Sequence, residues 1–150
     1  MLKINRKVEY ALMALKFMAS KKESGLTSAR EICETFNVPF DTTAKGLQIM
    51  NSKGLLHSVK GIRGGYQLEK NLDDITYMQL ARMVEGKDDE VQFCQNSKGE
   101  VCELYSNCNI ADPLELLNKK LNSYLEGLSL KELLFDGQDP KETAFARMEV

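Results

Sequence analysis

Apolar residues recur at helical spacing in several stretches of this chain, and one short pair of stretches between them reads as strand. Val8, Ala11, Leu12, Leu15, Met18 and Ala19 form the first stripe, with Asn5 placed to cap it and Glu9, Met13 and Lys16 off the stripe. This helix is expected to end in the loop spanning 20–25. Ser28-Ala29-Arg30-Glu31 has the form of a capping box, so a second helix starts there. Ile32, Cys33 and Phe36 give it an apolar face, and Asn37-Val38-Pro39 stops it, because the residue before a proline avoids the helical region. A third helix is predicted over 40–53, burying Phe40, Ala44, Leu47 and Met50 and ending at Gly54. Its other face, with Asp41, Thr42, Lys45, Gln48 and Asn51, is left to meet a partner. Residues 55–59 and 66–68 then read as two strands.

Between those strands stand Lys60, Gly61, Ile62, Arg63, Gly64 and Gly65. Glycines permit tight turns and close backbone approach. A basic glycine-rich hairpin directly after a helix, turn and helix is the layout of a winged-helix DNA reader. An ordinary hairpin with a solvated tip is the plainer alternative. Beyond it, Thr76-Tyr77-Met78-Gln79 is another capping box, for a helix running to Glu85 and stopped by Gly86. A longer helix follows over 111–126, and Ser129-Leu130-Lys131-Glu132 opens a short one through Phe135. The predicted fold class is mainly α with a small β-hairpin wing. It comprises a winged helix-turn-helix head (1–86), a cysteine-bearing loop (87–110), a long dimerisation helix with the short helix after it (111–135), and a mobile tail (136–150) carrying Gly137 and Pro140.

Charge sharpens this picture. The net charge of −2 over 150 residues hides a division. Residues 1–84 hold 13 Lys and Arg against 8 Asp and Glu, whereas residues 85–150 hold 7 against 14. The basic half is the one that attracts a phosphate backbone. Thr42, Lys45 and Gln48 are expected at base edges or phosphates, and Lys60 and Arg63 at the backbone or minor groove. Ser28 and Pro39, at the starts of the two helices, Asp41, and Gly64 in the wing complete the expected DNA-facing set. No run of about 20 apolar residues suggests a membrane span, and no signal peptide is recognisable, so a cytoplasmic location is expected. A cofactor-binding glycine turn and a nucleophile–base pair are both missing, and there is one histidine, His57. An enzyme is therefore not expected.

Three of the four cysteines crowd one segment: Cys94, Cys102 and Cys108, spaced C-x7-C-x5-C among loop-forming residues. Thiolates so placed suit iron or an iron–sulfur cluster. Zinc is the competing metal, although its sites more often use C-x2-C pairs. Unrelated thiols are the bland alternative. Cys33, on an apolar helix face, reads as a small hydrophobe. In the long helix, Leu114, Leu117, Leu121, Tyr124 and Leu128 lie at a/d spacing. Such a seam suggests packing on a second copy of the chain, with docking on its own head as the alternative. Glu9, read alone, is a solvated charge on a helix flank.

Together these parts resemble the winged-helix repressors that sense through an iron–sulfur cluster, the family of the iron–sulfur cluster regulator (IscR) and the nitric-oxide-sensitive repressor (NsrR). The resemblance covers roughly 2–135. It is carried by Val8-Glu9-Tyr10-Ala11-Leu12, by Val59-Lys60-Gly61-Ile62-Arg63-Gly64-Gly65-Tyr66, by Val84-Glu85-Gly86, and by Val101-Cys102-Glu103-Leu104 with Cys108. It implies a homodimeric repressor that binds a double-stranded DNA operator. It also implies a cluster, 4Fe–4S ahead of 2Fe–2S, on Cys94, Cys102 and Cys108. The histidine that the cluster regulator carries three residues past its last cysteine is replaced here by Ala111. The nitric-oxide-sensitive type instead completes its site with a carboxylate of the other subunit's first helix, and Glu9 stands at the matching position. The chain departs from the family pattern in two places: its first cysteine gap is seven residues where five is usual, and Lys60 stands where arginine is common. A cluster-free regulator that senses oxidants or zinc through the same thiols is the alternative function.

Overall fold

The computed structural model describes residues 4–21, 25–86, 94–95 and 100–136. The expected tail beyond 136, and residues 87–93 and 96–99 of the expected loop, lie outside the described residues.

Helix α1 spans Arg6–Ser20, and the Asn5 side chain accepts the Lys7 amide at its start. Val8, Ala11, Ala14, Leu15 and Met18 are its buried face. Helix α2 (Ala29–Phe36) begins where Ser28 Oγ accepts the Glu31 amide at 3.1 Å. The reciprocal half of the expected capping box is not formed, because the Glu31 carboxylate turns instead to Lys21 Nζ at 2.7 Å. Asn37, in the left-handed conformation, closes α2, and α3 (Phe40–Ser52) follows after Pro39.

The buried face of α3 differs from expectation. Phe40 is 54% exposed, and Thr43, Leu47 and Met50 form the face instead. Thr43 is tolerated inside because its hydroxyl donates to the Pro39 carbonyl at 2.8 Å, which satisfies the polar group within its own helix. Gly54, at φ +78°, turns the chain out of α3.

Strands β1 (Leu56–Val59) and β2 (Gly65–Leu68) pair antiparallel, with Leu56 opposite Leu68 and Val59 opposite Gly65. On the other side of β2 an isolated bridge forms: Thr27 and Tyr66 exchange both backbone hydrogen bonds, at 2.9 and 2.8 Å. Gly65 makes this possible, since a Cβ there would stand 2.9 Å from the Thr27 carbonyl carbon and oxygen. Helix α4 (Tyr77–Glu85) carries a complete capping box between Thr76 and Gln79 and ends at Gly86, φ +68°.

Helix α5 (Ala111–Gly127) leaves the head, and α6 (Leu130–Phe135) brings the chain back. The short last helix, expected to go with the arm, packs into the head: Leu130 and Phe135 are buried in the same core as Leu15, Ile32, Leu47 and Leu80. The return is fixed by backbone bonds from Tyr77 to Leu128 at 2.9 Å and from Leu130 to Ile75 at 2.8 Å. Arg82 of α4 also meets Glu126 of α5 at 2.6 Å, and Lys131 meets Asp73 at 3.1 Å. The C-terminal end of the arm is thus fixed to the head.

Candidate nucleic-acid interface and thiol loop

On α3 the side opposite the core presents Asp41, Lys45 and Gln48 to solvent, with Thr42 half-buried beside them. Pro39, at the start of that helix, is exposed, and Ser28 is half-buried as the cap of α2. In the wing, Lys60, Ile62 and Arg63 are exposed, while Gly61, at φ +122°, makes the bend. The Gly64 amide closes the tip by donating to the Gly61 carbonyl at 3.0 Å. A Cβ on Gly64 would sit 2.3 Å from the Val59 carbonyl oxygen, so the tip cannot take this path with a larger residue. Lys45, Lys60 and Arg63 make no ion pair among the described residues. Cations left free beside an open helix face are the electrostatic footprint of phosphate binding. The wing tip also shows what the sequence reading passed over: Ile62 is 107% exposed, an apolar residue at the most protruding point of the hairpin.

The thiols are placed by a small local structure. Gln95 and Val101 form an isolated bridge, and the Cys102 amide donates to the Cys94 carbonyl at 2.9 Å. Cys94 and Cys102 are therefore backbone neighbours despite the seven residues between them. A short 3-10 turn, Tyr105–Asn107, leads to Cys108, three residues before α5 begins. All four cysteines are free; Cys102 is exposed, and Cys94 and Cys108 are half-buried. Thiolate is the donor that iron–sulfur clusters need, so the residues fit such a group in chemistry. In geometry the fit within one subunit is partial: among the described residues no three metal-binding side chains gather round one point. Glu9 is not turned to the thiols of its own subunit; its carboxylate pairs with Arg6 at 2.9 Å. His57 is exposed on β1.

The expected leucine seam of α5 divides. Leu128 is buried within its own subunit, and Leu114 and Leu121 are half-buried. Leu117 and Tyr124 remain 42% and 61% exposed, and Ile110, one heptad before Leu117, is exposed as well.

Comparison with known proteins decides the lineage. The family model for Rrf2, described as an iron-dependent transcriptional regulator, matches residues 4–136. The chain belongs to the Rrf2 family. It is accordingly a transcriptional regulator with a winged-helix head, and not an enzyme. It is 28% identical over 128 residues to an HTH-type transcriptional regulator of Aquifex aeolicus, covering 85% of this chain and 88% of that one. To the HTH-type transcriptional regulator NsrR of Bacillus subtilis it is 23% identical over 141 residues, covering 92% and 94%. Among solved structures, CymR, the global cysteine regulator of B. subtilis, superposes with a TM-score of 0.64 at 25% identity, over 89% of this chain and 97% of that one. No helix among the described residues is long and apolar enough to cross a membrane.

Proposed function

We propose that this Rrf2 protein is a homodimeric repressor whose grip on operator DNA is set by the state of Cys94, Cys102 and Cys108. The observation that carries this reading is the position of the thiol loop. Cys94 and Cys102 are backbone neighbours, and Cys108 stands at the foot of α5. Whatever engages the three sulfurs together ties the loop to the arm. Through Leu114, Leu117, Leu121 and Tyr124, with Ile110, α5 would pack on a second copy, while Leu128 is buried within its own subunit. A change at its foot then alters the spacing of the two α3 helices, which must match half-sites about one helical turn apart. At each half-site Thr42, Lys45 and Gln48 enter the major groove, flanked by Ser28, Pro39 and Asp41. Lys60, Arg63 and Gly64 meet the backbone or minor groove.

The three thiolates would hold an iron–sulfur cluster, with Glu9 of the partner subunit as the fourth ligand. When bound, that cluster supplies a centre that nitric oxide, oxidants or iron shortage can alter. Likeness to NsrR and the family's iron-dependent description support this. A second reading rests on a specific observation, the absence of a converged metal site among the described residues together with the likeness to CymR. Here the same thiols would react with oxidants directly. Anaerobic purification followed by iron and sulfide assay separates the two. Near-stoichiometric iron and sulfide with a visible absorption band supports the cluster; colourless protein with free thiols supports the second reading.

A further inference from the structure

Helix α3 carries a glycine in its interior. At Gly46 the φ angle is not positive, and a Cβ would meet nothing within 4 Å. Glycine inside a helix is less stable than alanine, and neither strain nor crowding in the subunit asks for one here. What the missing side chain leaves open is a cavity of about 320 Å³, lined also by the first turn of α1 and the end of α4. This volume lies at the small end of the range for ligand pockets, roughly 300–1,000 Å³.

The cavity has two kinds of wall. Ile49 of α3 with Met83 and Val84 of α4 are apolar. Lys7 of α1, Lys45 of α3 and Lys53 just past the end of α3 also line it, against one acidic residue, Glu85. None of the three lysine side chains makes an ion pair or hydrogen bond among the described residues. A phosphate of duplex DNA would neutralise the lysines but leave the apolar wall uncovered. A molecule with an apolar body and an anionic group satisfies both walls at once.

We infer that this cavity binds a small amphipathic organic anion, a carboxylate, sulfonate or phosphate on an apolar body of metabolite size, and that its occupancy opposes DNA binding. Thr42 and Lys45 belong both to this lining and to the proposed DNA-facing set. One ammonium cannot serve two anions fully, so ligand and DNA weaken each other by the same factor. Anion binding stands on the cavity alone. The antagonism rests on the proposed reading role of α3.

The test uses the full chain without DNA and two fluorescent probes: anilinonaphthalene sulfonate, and uncharged phenylnaphthylamine, which keeps the rings without the anion. Both are expected to bind saturably. Gly46→Leu places a side chain in the cavity and should weaken both about tenfold or more, a loss of at least ~1.4 kcal/mol. The Lys7→Gln/Lys53→Gln double variant should weaken the sulfonate about tenfold and the uncharged probe by less than about twofold. Circular dichroism of each variant should match the parent. Unchanged sulfonate binding in Gly46→Leu would place the probe elsewhere, such as on the exposed face of α5, and would overturn the inference. Equal weakening of both probes by the lysine changes would overturn the anionic class. Duplex DNA at low salt should then release the sulfonate. A probe that stays bound to DNA-saturated protein would overturn the antagonism, while failure to bind DNA at all would count against the role of α3 and leave the probe titrations standing.

Discussion

The Cys102 amide donates to the Cys94 carbonyl at 2.9 Å, so two thiols separated by the x7 gap leave neighbouring points of the backbone. The third, Cys108, is carried to the foot of α5 by one 3-10 turn. On the proposed reading all three thiols are needed for a joint site, and Cys33, which lies on α2, takes no part in it. Cys94→Ala, Cys102→Ala and Cys108→Ala are each expected to abolish stable iron and sulfide binding, while Cys33→Ala leaves it intact. Metal and sulfide assay after anaerobic reconstitution measures this. A triple variant that still held iron and sulfide would remove the loop from the site.

Glu9 is expected to act more mildly. In its own subunit the carboxylate is engaged with Arg6, an exposed pair worth little to folding. Glu9→Ala should thus leave thermal stability nearly unchanged. A carboxylate oxygen is a harder ligand than thiolate and a weaker partner for iron in a cluster. The reconstituted variant should therefore assemble but decay faster under air and nitric oxide. Identical spectra and identical decay in parent and variant would take Glu9 out of the site.

The arm offers a third test. Leu117 and Tyr124 are the exposed residues of the expected seam, so a charge there leaves the isolated subunit's core untouched. Buried in an interface without a partner, an aspartate costs several kcal/mol. Leu117→Asp with Tyr124→Asp should give folded monomers by sedimentation. Leu121→Asp is a different experiment, because that side chain is half-buried within the subunit and its change also perturbs folding. A stable dimer carrying both changes, Leu117→Asp and Tyr124→Asp, would show that α5 packs only on its own head.

Much of the head was legible because its signals are local. Asn5, Ser28, Thr76 and Ser129 all cap the helices they were read to start. Gly54 and Gly86 take the positive φ expected where a helix stops. Phe40 misled because hydrophobicity at one helical position cannot say whether anything lies opposite it; Thr43 won the place by bonding its own helix. The bridge at Thr27 left no periodic trace, being one residue long. Its signal was Gly65, whose lack of a side chain admits Thr27. The return of α6 to the core was not legible either, since Leu130 and Phe135 join the core that holds Leu15 and Leu80 only after the long excursion of α5. The same holds for the cavity at Gly46, where Lys7 and the end of α4 join the α3 residues only in the folded head.

Gly65 gives a stability prediction of its own. Gly65→Ala would force a Cβ to within 2.9 Å of the Thr27 backbone, where no flexible side chain can yield. The bridge between Thr27 and Tyr66 must open or the wing must shift. A loss of about 1–3 kcal/mol is expected, measured by denaturant unfolding. DNA affinity should fall further than stability alone explains, because the wing is aimed by that bridge. Parental stability and DNA affinity in Gly65→Ala would show that the wing tolerates the shift.

The last prediction concerns the wing and α3 acting on DNA together. Lys45, Lys60 and Arg63 stand exposed and free of ion pairs among the described residues, three cations per subunit. A dimer using all of them neutralises about six phosphates, which gives a log–log salt slope of about −5. Each lost contact should flatten the slope by about 0.9 per phosphate, so a symmetric Lys60→Ala dimer should lose about 2. If Lys60 meets only phosphate, that variant weakens all sequences alike. Lysine presents a point charge and not a planar fork. Arg63 is therefore the better reader of a narrow minor groove, and Arg63→Lys should reduce discrimination between A·T-rich and G·C-rich flanks while keeping most of the salt slope. Fluorescence anisotropy over a salt series, with both flank types, reads affinity, slope and discrimination in one experiment. A flat salt response in the parent protein would sink the winged-helix reading of this face. Unchanged flank preference in Arg63→Lys would place Arg63 on the phosphates instead.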